Sequence, residues 1–334
     1  HTIDNALALR RYDVTNELFQ SLASFEPMHG LYFAASAALR GVDLADPLRR
    51  ADAVGNAAAI LTLVRGRSGG AATRWLRAQR EVATVVNTPA SLGVASTYDG
   101  VCATYIGAWA SATEHLTQAE RLLSTCEGPS YRYQLATGQA IDSWVLFFRG
   151  RYSELARRTS RRLEEALGKG NRMAASAQTT HTAIAAPLAR DDVATARRFL
   201  DEAVLRLPAT TYSQMHTWIL IAHSLYSLYA GDPLEGHARL VDELPRLRRS
   251  QLLSVKIARV QFLWIASSLC AAASRASTGA SAARLSRQAL AYARQLARVP
   301  IGGAVPWSLL CRAALASRAE RPELLARART EFLR

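Results

Sequence analysis

A chain of 334 residues that is 49% hydrophobic and 20% charged, with 19 glycines and 11 prolines, is too apolar for a disordered tail and too poor in Gly and Pro for a linker or a fibre. Its four cysteines are scattered with no C-x-x-C pair, which argues against a disulfide framework and a zinc cluster; a core of this size needs neither. Of 41 basic residues only Lys169 and Lys256 are lysine, and the formal +14 is lopsided: residues 245–334 carry 16 basic residues against Glu320, Glu323 and Glu331, while residues 1–244 are nearly balanced.

The chain opens on HTIDNALALR, which lacks the basic-then-apolar order of a signal peptide. Because it begins with His rather than Met, it is expected to be part of something longer. A first helix is predicted near 4–24, within an N-terminal helical cap over 1–50.

From residue 51 onward a unit recurs: an apolar helix end, a short Gly or charged break, then a second amphipathic helix. The break falls at Gly66, Gly107, Gly150, Arg190 and Gly231, a spacing of 40 to 43 residues. Glycine there is a helix stop, because it alone takes the left-handed conformation without strain. Asp191 and Asp192, and Asp232 before Pro233, are placed to cap the helices that follow. Small residues past each break (Ala72, Ala112, Ala156, Ala196, Gly236) would let the second helix approach the first closely. Period-two alternation is absent and apolar spacings of three and four are everywhere. The expected fold is therefore all-α. It is an α-solenoid of about seven stacked antiparallel pairs with a period near 41, the pairs lying near 51–88, 91–127, 130–169, 171–207, 211–248, 250–298 and 302–334. Pro187 should kink or shorten its helix.

The layout is similar to the tetratricopeptide superfamily, with a longer unit. A closer likeness lies at 212–265. Tyr229-Ala-Gly-Asp232, Leu244-Pro245 and Leu247-Arg-Arg-Ser250 resemble the tetratricopeptide-like C-terminal region of bacterial, myxobacterial-type, eukaryotic-like Ser/Thr protein kinases. The stretch from Phe147 to Tyr152 matches more weakly, and the likeness spans about 90–330. The resemblance implies a regulatory or partner-binding arm of a signalling protein whose kinase domain lies upstream. Pro187 departs from that pattern.

Chemistry is not expected in this segment. G-x-G-x-x-G, H-R-D and D-F-G are missing. The Gly168-Lys169-Gly170 run fails as a phosphate loop, since Leu163 stands where the first glycine belongs. There is no H-E-x-x-H. His216 and His223 are seven residues apart, about 10 Å along a helix, and no acid or Cys sits within a turn of either. The acid pairs lie on arginine-rich helices, where i,i+4 pairing accounts for them. The expectation is a non-enzyme with no cofactor and no metal.

Binding residues are sought instead on the first helices, taken to line a concave face. Over 211–230 a narrow polar stripe (Ser213, His216, Thr217, His223) runs along an otherwise apolar helix. Neighbouring first helices add Gln139 and Asp142, then Arg172, Ser176 and Thr179, then Lys256 and Arg259. These residues form the expected groove, for a protein or peptide, or for an upstream domain of the same chain. The excess charge of 245–334 points to an acidic partner surface. Nucleic acid gripped by that basic third, and a small molecule sensed at His216 and His223, are the alternatives. The apolar stretches near 217–230 and 257–273 are interrupted by His223 and Arg259, so no membrane segment is predicted, and the expected location is the cytoplasm.

Overall fold

The computed structural model describes residues 5–23, 26–65, 70–205 and 212–333. Among them every regular element is a helix. The chain divides into two compact units. Unit 1 comprises residues 1–178 and 209–215, and unit 2 comprises 179–208 and 216–334.

Unit 1 contains α1 (Ala6–Leu22), α2 (Pro27–Gly41), α3 (Pro47–Arg65), α4 (Gly70–Val86), α5 (Pro89–Ile106), α6 (Trp109–Leu123), α7 (Pro129–Phe148) and α8 (Tyr152–Gly168). Proline opens α3, α5 and α7, where its missing N–H costs nothing and its fixed φ suits a first turn. Thr88 and Ser91 close a reciprocal cap in front of α5. The division of labour within a pair is plain. α5 is buried continuously from Gly93 to Thr104, whereas its partner α6 buries only the stripe Ala112, Leu116, Ala119 and Leu123. A β-carbon on Gly100 would stand 2.6 Å from Leu116 Cγ, so glycine is what lets these two helices close up.

α9 (Arg172–Thr179) leads into unit 2, which holds α10 (Ala185–Leu188), α11 (Val193–Leu205), α12 (Gln214–Ala230), α13 (Pro233–Arg249), α14 (Lys256–Arg275), α15 (Gly279–Ala297), α16 (Ala304–Ala313) and α17 (Arg321–Leu333). The same contrast recurs: α14 is buried nearly all round, and α15 buries Leu285, Ala289, Tyr292, Ala293 and Leu296 while the rest are half-buried or exposed. Helix α14 is long and apolar enough to cross a membrane, but most of it is buried as a core helix.

The expected stops at Gly107, Gly150 and Gly231 all take positive φ, +84°, +67° and +80°. Gly66 lies outside the described residues. Where Arg190 was expected to mark the stop, the left-handed residue is Asp191, at φ +58°. Asp192 caps Thr195 N at 3.0 Å, and Asp232 caps Glu235 N. The helix that holds Pro187 is short, as expected, with only four residues. Pro187 sits within this α10, and the helical run is interrupted earlier, at Thr180 and His181, the latter with φ +52°. All four cysteines are free thiols, three of them buried.

Candidate functional site

The expected groove residues do not share one open surface. Asp142 on α7 is 0% exposed and is enclosed by ion pairs. Arg162 on α8, 2% exposed, donates to Asp142 Oδ2 at 2.7 Å and to both carboxylate oxygens of Glu120 on α6, at 2.6 and 2.9 Å. Arg158 adds a 3.1 Å bond to Asp142. Burial disfavours the charge on Glu120, but the Arg162 hydrogen bonds and charge outweigh it and hold the carboxyl down at about 2. Gln139 donates to Glu120 at 3.0 Å and edges a crevice of about 710 Å³ with Arg132, Glu165 and Lys169. Assigning Asp142 to a groove is therefore corrected: its charge is matched inside unit 1 by an arginine twenty residues along the chain.

Ser176 and Ser213 in unit 1, and Thr179, His216, Thr217 and His223 in unit 2, are also buried, each below 8% exposure. Arg172 and Arg259 are exposed and Lys256 is half-buried. The polar stripe of α12 therefore does not read as a solvent-lined groove; it belongs to the interior. Its neighbour in unit 2 is a residue outside the expected set, His181, whose ring meets Trp218 edge-on at 6.3 Å. Burial pushes the His181 imidazole down to about 3, against a hydrogen bond with Gln261. Burial, with Arg239 and Arg197 nearby, pushes His223 down to about 4. Both rings are neutral at pH 7. Thr217 Oγ1, Gln261 Nε2 and His223 Nε2 are buried without hydrogen-bond partners among the described residues. The sequence signal for this centre is the run Thr179-Thr-His-Thr182, a polar interruption between alanine-rich stretches. No group of three His, Cys, Asp or Glu able to hold a metal occurs among the described residues.

A second centre, also outside the expected set, lies in unit 1. Asp52 on α3 accepts four hydrogen bonds: Tyr12 Oη at 2.8 Å and Asn16 Nδ2 at 3.0 Å on Oδ2, Tyr98 Oη at 3.0 Å and Gln134 Nε2 at 3.2 Å on Oδ1. No cation pairs with it among the described residues. Burial lifts its pKa, and the four donors pull the other way without cancelling that effect. The Oδ2 side borders a cavity of about 360 Å³.

The third feature is electrostatic. From Leu244 to Ala319 there is no acidic residue and there are twelve basic ones. All eleven arginines among them are exposed. Arg284, Arg287, Arg294 and Arg298, at offsets of 3, 10 and 14, fall on one side of α15 and have no ion-pair partner among the described residues. The aromatic residues of this stretch, Phe262, Trp264, Tyr292 and Trp307, are buried or half-buried.

No protein-family model, no curated protein and no solved structure matches this chain.

Proposed function

We propose that the chain is a non-catalytic helical-repeat interaction module that holds an acidic protein partner against the arginine face of unit 2. One observation carries this reading: 76 consecutive residues of helical structure expose eleven arginines and hold no acid. Only Arg246 among these eleven has an ion-pair partner among the described residues, Glu243 at 3.5 Å, and a surface so little neutralised attracts carboxylates, which the planar guanidinium binds in pairs. The seven-pair solenoid, and the role of partner-binding arm in a larger signalling protein such as a Ser/Thr kinase, belong to the same proposal. They rest on the repeat spacing and on the resemblance at 212–265.

Duplex nucleic acid is the second reading, favoured by the alignment of Arg284 to Arg298 over about 21 Å of one helix side. Single strands fit less well, because base stacking needs exposed aromatics. The test compares polyglutamate with duplex DNA as probes for the native chain and for the quadruple variant Arg284→Glu, Arg287→Glu, Arg294→Glu, Arg298→Glu. Polyglutamate binding that the variant loses is expected. Equal binding by the variant removes the α15 face, and a strong preference for duplex DNA with a steep salt slope hands the surface to the second reading.

A further inference from the structure

The cavity beside Asp52 is walled by α1, α3 and the first turns of α5 and α7. Its polar lining is rich in acceptors. Tyr12 Oη spends its one hydrogen on Asp52 and Asn16 Nδ2 one of its two, which leaves the phenol lone pairs and the Asn16 carbonyl oxygen as acceptors beside a single amide hydrogen. Gln20 spends an amide hydrogen on Ser130 Oγ at 3.0 Å, and Glu17 is exposed at the rim. Arg49, the one lining cation among the described residues, is committed elsewhere. Its Nε and Nη2 grip Asp13 at 2.7 and 2.8 Å, and its Nη1 holds Asp46 at 3.0 Å. Leu48, Ala51, Val94 and Tyr131 supply apolar wall. A volume of about 360 Å³ lies within the range of small-molecule sites.

Two effects oppose each other here. The Asp13–Arg49 pair cancels, leaving the charges of Asp52 and Glu17. Against them stand the partial positive ends of three helices. Two of those ends are already answered, α3 by Asp46, which accepts from Arg49 N at 2.8 Å, and α5 by Thr88 with Ser91. Only α7, behind Gly128, has no side-chain cap. Two full charges outweigh one half-charge at a helix end.

We propose that this cavity binds a small organic cation, its ammonium group facing Tyr12, Asn16 and Asp52 and its hydrocarbon body against Leu48 and Val94. The site is separate from the arginine face and does not depend on the function proposed above. Three probes of one shape and different charge test it on the full chain: benzylamine, benzyl alcohol and benzoate, followed by saturation-transfer NMR and calorimetry at pH 7.5. Benzylamine should bind saturably and at least about tenfold more tightly than the other two. Glu17→Gln, at an exposed rim position, should weaken it about threefold, and Asp52→Asn at least about tenfold. If Asp52→Asn fails to fold, Glu17→Gln and the native chain decide the matter. Preference for benzoate, equal affinity for all three probes, or benzylamine binding untouched by Glu17→Gln would each overturn the proposal.

Discussion

The two units treat charge in opposite ways. Unit 1 buries it and answers it internally: Arg162 and Arg158 meet Glu120 and Asp142, and Asp52 is wrapped by four neutral donors. Unit 2 buries neutral imidazoles and leaves its guanidinium groups outside, along 76 residues in which only Arg246 meets an acid, Glu243, among the described residues. An internally matched charge contributes to one fold; an exposed unmatched one contributes to contact with something else. The contrast explains why arginine, 24 residues in 1–244 and 15 in 245–334, has two meanings.

Acid should separate the units most strongly. His181 and His223 have folded-state values of about 3 and about 4, below the ordinary 6.5, so the folded state takes up protons less readily than the unfolded chain. Their contribution is complete above pH 6.5 and is lost as pH falls through 6.5 toward 3, about 3–5 kcal/mol for each ring. Glu120, held at about 2 against 4.5, contributes above pH 4.5 and loses about 3 kcal/mol only between pH 4.5 and 2. Asp52 runs the other way, gaining stability on protonation because its folded value is raised. Unit 2 should therefore loosen first, near pH 5, with a change in the emission of Trp218 beside His181. Emission that stays flat down to pH 4 would break the contrast.

Arg162→Ala tests the other side. It takes the shared cation from Glu120 and Asp142, leaving Glu120 with Arg161 and Gln139 and Asp142 with Arg158 alone, and should lower the unfolding free energy of unit 1 by about 3 kcal/mol, read by urea titration. A smaller, steric effect is expected of Gly236→Ala on α13. Its new β-carbon would lie 2.8 Å from Ser227 Cβ and 2.9 Å from Leu269 Cδ2, costing about 1–3 kcal/mol in thermal unfolding. Least of all should follow from Arg287→Glu or Arg294→Glu on the exposed face of α15, within about 0.5 kcal/mol each in the same experiment. A larger loss would show these arginines to be structural and would collapse the distinction between the units.

The helices were legible because their signals are local. Apolar spacing, Gly107 and Gly231 as stops, and Asp192 and Asp232 as caps act within a turn or two of themselves. The small residue at 236 was legible for a related reason, since it is set by the approach of two consecutive helices. The polar stripe was not. His216 and Thr217 on an apolar helix, with Ser213 just ahead of it, have the same pattern whether they face water or other buried polar groups. Asp142 looked like a groove residue because its partner Arg162 lies on the next helix, and Asp52 drew no notice because Tyr12, Tyr98 and Gln134 are 40, 46 and 82 residues away. Periodicity has no access to such pairings. The short helix at Pro187 was legible from proline, a local signal; the left-handed turn at His181 was not, because it lies among buried residues from other helices.

The scarcity of lysine, two residues in 334, gives the cationic face a permanence of its own. Guanidinium groups keep their proton across the whole working range of pH, and they offer no primary amine for an acetyl group to silence. Between Leu244 and Ala319 the sole target of that kind is Lys256. Ionic strength, rather than acidity or lysine acylation, is thus the dial by which the attraction of this face is turned up or down.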